Sequence, residues 1–235
     1  MFRSLLVLVA LVLAGGAAAG VIGGSMAWLI RRIQLLAGGA GVVHPVAAAA
    51  VGGVLAGFGW WWLRRRGPVR AIEESVLSEG ARLPLGRTFA DAFLQLLAVG
   101  SGISLGREQA PRQASAAVLD QLSRALRVTE DHRRVLVAAA AGAGLTAVYN
   151  VPLAGVLFTL EAMPVRRTWR ALPIAAAMSG VATVTAWPIV GRRAVYDFPE
   201  AAFHPVILYL FPLLLLAAVL TGRLFLALMR STGGW

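Results

Sequence analysis

The run from Leu5 to Ile30 contains no charged side chain. At 1.5 Å per residue it is long enough to cross a hydrocarbon core of about 30 Å. Further apolar runs occupy 46–63, 171–190 and 205–229. The chain of 235 residues is 58% hydrophobic and only 14% charged, with a mean hydropathy of +0.74. A water-soluble fold could not conceal so much apolar surface. The sequence therefore predicts an all-α, polytopic integral membrane protein, a single transmembrane domain over residues 1–235. Met1-Phe2-Arg3, the following apolar run and Ala17-Ala18-Ala19 have the outline of a secretory signal. The apolar character persists through Val21, Ile22, Met26 and Trp28, beyond any cleavage site, so a retained helix is expected.

The formal net charge is +11 and every basic residue is Arg. These arginines fall in short clusters between apolar runs: Arg31–Arg32, Arg64–Arg66, Arg133–Arg134, Arg166–Arg167 and Arg192–Arg193. Such clusters flank membrane segments; a nucleic-acid surface would neutralise phosphates with a continuous basic face. Trp60-Trp61-Trp62 before Arg64-Arg65-Arg66 marks a membrane boundary, read as cytoplasmic, which puts the N-terminus on the same side. No cysteine is present, and His44, His132 and His204 show no metal-ligand spacing. With no nucleophile–base pair either, neither enzyme chemistry nor a cofactor is expected. Glycines four apart, Gly16/Gly20/Gly24 and Gly53/Gly57, predict close helix packing.

The middle of the chain differs. Segments 84–106, 109–126, 133–148 and 152–163 are short and interrupted by Gly, Pro or charge. Broken segments at membrane depth survive where protein or water covers their ends, and they commonly aim helix ends at a transported ion. Within Gly100-Ser101-Gly102-Ile103-Ser104-Leu105-Gly106-Arg107-Glu108-Gln109-Ala110-Pro111-Arg112-Gln113, the part after Glu108 reads as a helix start. A helix start offers free N–H groups and about half a positive charge, an anion site. A glutamate there can act as a tethered anion, vacating the site when protonated or displaced. Equally, it can cap the helix or pair with Arg107 or Arg112. Thr129-Glu130-Asp131 reads as an N-cap with acidic residues in the first turn. Asn150-Val151-Pro152 ends one helix and starts another, and Glu161 closes the apolar run that follows, as an interfacial anchor beside Arg166 and Arg167 or a proton carrier.

Gly106-Arg107-Glu108 with Gln113 resembles the G-R-E-G-P-x-x-Q motif of the CLC chloride channel and transporter family, the voltage-gated chloride channel type. Asn150-Val151-Pro152-Leu153-Ala154-Gly155-Val156-Leu157-Phe158 with Glu161 resembles that family's N-x-P-L-A-G-x-L-F-x-x-E-E stretch. The match is clearest over 64–165 and covers the first of the family's two inverted repeats. The resemblance implies tilted and re-entrant helices, chloride or another small anion as cargo, and Glu108 as the gate. It also implies an anion site formed around Gly106, Arg107, Glu108, Gln109 and Ala110, with protons exchanged at the same glutamate in transporters of this kind. A homodimer or a second-half partner chain, seated in membrane lipid, would complete the path.

Three departures from the family pattern shape the expectation. The family's G-S-G-I-P segment falls at Arg66-Gly67-Pro68-Val69-Arg70, without the anion-contacting hydroxyl. Pro111 sits one position later than the motif's proline. The second glutamate of the later motif aligns with Ala162, which carries no proton. Passive, channel-like conduction gated by Glu108 is therefore the expected activity, with proton-coupled antiport the alternative, a relay through Glu161 included. A non-conducting membrane scaffold or regulatory remnant is the expectation from another class.

Overall fold

The computed structural model describes residues 2–38, 44–78, 80–165, 171–192 and 205–231. Among them are nine helices and no strand: α1 (Phe2–Gly38), α2 (Pro45–Arg65), α3 (Ile72–Leu77), α4 (Leu85–Gly100), α5 (Gln109–Ala125), α6 (Glu130–Tyr149), α7 (Pro152–Glu161), α8 (Ala171–Val190) and α9 (Val206–Ser231). Four of these, α1, α2, α8 and α9, are long and apolar enough to cross a membrane. The apolar runs and broken segments of the sequence appear in the expected order. The short α3 was not legible, because six residues with two glutamates in the first turn carry no apolar period. His204, Arg166, Arg167 and Arg193 lie outside the described residues.

Two compact units divide the chain, Met1–Val195 and Tyr196–Trp235. The second contains α9, an apolar helix interrupted by Pro212. In the first unit α6 is the central element, packed by α1, α3, α5, α7 and α8. Ala138 to Ala141 and Ala143 are fully buried, as alanine and glycine let neighbouring backbones close in where lipid supplies no hydrophobic drive between helices. Leu11, Leu119, Leu136 and Met178 tie α1, α5, α6 and α8 together. Met26, Ile30, Leu96 and Ala110 join α1, α4 and α5. α1 is thus an integral part of this core.

The glycine expectation holds for α1 and shifts for α2. A Cβ on Gly16 or Gly20 would meet the carbonyl oxygen of Met178 at 2.8 Å or of Ala182 at 2.5 Å, so α1 and α8 touch backbone to backbone. On α2 a Cβ at Gly57 meets nothing within 4 Å and one at Gly53 meets Ile103 at 3.2 Å. The tight approaches are instead at Gly52, against Ser101, and Gly59, against Leu94. The i,i+4 pair lies on the less crowded side of the helix, which spacing alone could not reveal.

A buried polar network holds the connecting segment before α4. Asp120 of α5, fully buried, accepts from Leu83 N at 3.0 Å, Arg124 Nε at 3.1 Å and Arg133 Nη1 at 2.5 Å. Arg133, 2% exposed, also donates to Ser75 O at 2.7 Å and to Glu130. Thr129 does stand at the N-cap of α6, with Glu130 and Asp131 in the first turn, but its hydroxyl meets His132 Nδ1 at 2.6 Å instead of a backbone amide.

Two stability outcomes follow. Gly20→Ala should lower the thermal midpoint in detergent by several degrees, since overpacking costs about 1–3 kcal/mol, whereas Gly57→Ala should leave it unchanged. Asp120→Ala strands the buried Arg133 and should destabilise by about 3–5 kcal/mol. Arg70→Gln, at an exposed pair with Glu74, should change stability by about 0–1 kcal/mol. Circular-dichroism melts of the four variants test both.

Candidate functional site

Glu108 stands at the N-cap of α5, in a helical conformation with φ −83° and ψ −28°, and its side chain makes no capping bond to its own helix. The carboxylate is half-buried. It accepts a hydrogen bond from the Tyr149 hydroxyl at 3.2 Å, which joins the start of α5 to the end of α6. A Cβ on Gly106 would collide with this carboxylate, so the glycine makes room for the side chain to fold back. Glu108 therefore does not cap. The motif arginines do not line its cleft either: Arg107 lies over the Tyr149 ring at 4.9 Å, and Arg112 lies over Phe158 at 4.0 Å and pairs with Glu73 at 3.9 Å.

Glu108, Gly106 and Gln109 line an open cleft of about 410 Å³, whose opposite walls carry Trp60 and Arg64 of α2 and Asp91 of α4. Asp91 accepts from Trp60 Nε1 at 2.8 Å and from Gln95 Nε2 at 2.6 Å. Gln95 also approaches the Gln113 carbonyl oxygen at 3.3 Å. The motif's final glutamine is thereby built into the cleft wall. Ala110 is buried in the core beneath it, against α1 and α4. The sequence reading missed Trp60, Arg64, Asp91, Gln95 and Tyr149. Asp91 alone gave a signal, as a carboxylate inside an otherwise apolar segment.

The other expected residues fall elsewhere. Asn150 ends α6 in the left-handed region, φ 57° and ψ 38°, and Pro152 starts α7, as the sequence indicates. The Asn150 side chain bridges to α8, donating to Arg192 O and accepting from Trp187 Nε1, both at 2.9 Å. Glu161, the last residue of α7, is exposed and does not line the Glu108 cleft. Residues 66–71 form the turn between α2 and α3, where Gly67 has φ +122° and the Arg87 guanidinium donates to Arg66 O. Ser101 directs its hydroxyl to Leu97 O at 2.7 Å, closing α4. No group of three or more metal-ligating side chains occurs among the described residues.

The described residues thus combine four helices long and apolar enough to cross a membrane with a carboxylate at a helix start, beside a polar cleft between α2, α4 and α5. The family model for the voltage-gated chloride channel matches residues 59–235, and the chain belongs to that family. It is accordingly a multi-pass membrane protein of an anion-transporting family. The chloride channel protein ClcB-like of Ralstonia nicotianae is 35% identical over 171 residues, 70% of this chain and 38% of that protein. The H(+)/Cl(−) exchange transporter ClcA of Vibrio cholerae is 38% identical over 106 residues, 44% of this chain and 23% of the transporter. The crystal structure of a slow cyanobacterial Cl−/H+ antiporter has the same fold, with a TM-score of 0.74 at 21% identity over 87% of this chain and 52% of the antiporter chain. The chain thus spans about half the antiporter and less of the curated relatives.

The Tyr149–Glu108 bond has a direct check. Tyr149→Phe removes the donor, and carbodiimide labelling of Glu108, followed by peptide mass spectrometry, should rise about fivefold, consistent with a hydrogen bond of about 1 kcal/mol. Unchanged labelling would show that the hydroxyl does not hold the carboxylate.

Proposed function

We propose that the chain carries chloride, or a similarly small anion, across the membrane in exchange for protons, with Glu108 as the group that alternately blocks the path and carries a proton. The observation that carries this reading is the position of one carboxylate at a helix start, half-buried and making no bond to the amides of its own helix. A helix start holds an anion by its free N–H groups. A tethered carboxylate and a mobile halide can compete for such a position, and protonation decides the contest. Sequence reading alone favoured passive conduction. The relatives carry both kinds of name, a chloride channel protein in Ralstonia and an H+/Cl− exchange transporter in Vibrio, and the exchange reading follows the latter.

Passive conduction stands as the second reading because Ala162 occupies the place of the family's second glutamate and Glu161 lies exposed at the end of α7. Family membership is in channels and transporters, which accords with the absence of any expected enzyme chemistry.

Reconstituted liposomes decide between the two readings. With a chloride gradient imposed, exchange drives protons uphill against a pH indicator, and passive conduction does not. Glu108→Gln should abolish the pH dependence of chloride flux and reduce proton movement at least tenfold, the scale of losing one transfer group. Equal flux and equal pH response in variant and parent would remove Glu108 from the mechanism.

A further inference from the structure

The motif that identifies the gate leaves the cation of the cleft unassigned. Arg107, the arginine inside that motif, lies on Tyr149 and does not line the cleft. α2 ends in three successive arginines with different fates. Arg65 is laid on the Trp61 ring at 3.8 Å and Arg66 on the Trp62 ring at 3.6 Å. Arg64 instead lines the Glu108 cleft, where it is the one cationic side chain among the described residues.

Its donors are not taken by the carboxylates that share the cleft. Asp91 is held by Trp60 and Gln95, and Glu108 by Tyr149. No ion pair joins Arg64 to a carboxylate among the described residues. Two negative groups and no paired guanidinium would make the cleft repel an anion unless that guanidinium faces the anion itself. Beside the free N–H groups at the start of α5, the hydroxyl contacts that might be sought are missing. Residues 66–70 contain no hydroxyl, Arg87 crowds the turn at Gly67, and Ser101 is turned to a backbone carbonyl.

We propose that Arg64 is the cationic contact for a small anion entering the Glu108 cleft, and that it does in this chain what a hydroxyl at 66–70 would otherwise do. A guanidinium presents several N–H donors in a fixed plane. The Glu108 carboxylate shares the cleft with Arg64 without pairing to it. When it is protonated or withdraws, a halide binds beside Arg64. This inference rests on the anion-transport reading above and names the residue that confers charge selection on its site.

Halide binding, measured by calorimetric titration of bromide into the detergent-solubilised 235-residue chain, tests it without reference to flux. Arg64→Gln should weaken binding about tenfold, a difference of about 1.4 kcal/mol, while Arg64→Lys, which keeps the charge, should restore most of it. Arg65→Gln, at the guanidinium stacked on Trp61, should stay within about twofold of the parent, since a screened neighbouring charge contributes little. Size-exclusion profiles matching the parent confirm folding. Should the parent bind no bromide because Glu108 fills the cleft, Glu108→Gln should unmask binding that Arg64→Gln in the same chain abolishes. Parent-like binding in Arg64→Gln, an equal loss in Arg65→Gln, or no binding in Glu108→Gln would each overturn the assignment. If Arg64→Gln weakens binding but Glu108→Gln leaves both binding and flux unchanged, Arg64 stands and the gate reading falls.

Discussion

The arrangement depends on burying one helix inside protein in a setting where water does not drive helices together. α6 achieves this with alanine and glycine along its length, so that neighbouring backbones approach to van der Waals contact. Gly142 faces the Gly155 carbonyl of α7, and Gly144 faces the Pro111 carbonyl of α5. These contacts fix where α5 begins and where α6 ends. The same two helix ends carry Glu108 and Tyr149, and the hydrogen bond between them is a consequence of the packing.

Two polar clusters of the first unit differ in their chemistry. Around Asp120 every charge meets an opposite one at close range, and Arg133 is almost wholly enclosed. A buried pair of this kind is sensitive to loss of either partner, and it holds the segment around Leu83 between α3 and α4. The Glu108 cleft is open, and its two carboxylates are held by neutral donors from Tyr149, Trp60 and Gln95. The first arrangement suits a fixed joint. The second leaves charge available to something that enters and leaves.

The family relationship and the geometry bear on different levels of the function. Membership rests on the match over 59–235, and it establishes anion transport as the family's business. The proposal of exchange leans on the named exchanger among the relatives. Ala162 pulls the other way, since a methyl group cannot take up a proton. Chemistry at one residue thus stands against the habit of relatives that are longer than this chain, and proton movement is the quantity that separates them.

Apolar runs longer than the bilayer core determined membrane residence, and Pro152 after Asn150 determined the break between α6 and α7, because these are local properties of the chain. Gly106 and Glu108 likewise announced a helix start with a carboxylate on it. What surrounds that carboxylate was beyond local reading. Trp60 and Arg64 come from α2, which packs on α4 at Gly52 and Gly59, and Asp91 comes from α4, which packs on α5 at Ala92. The pairing of Gly16 and Gly20 with α8 could be anticipated only as a tendency to pack, and Gly53 and Gly57 proved to lie on a less crowded side. Sequence spacing specifies which face of a helix a residue occupies, but only the tertiary structure decides which neighbour that face meets, because helix rotation is settled by contacts between residues far apart in the chain.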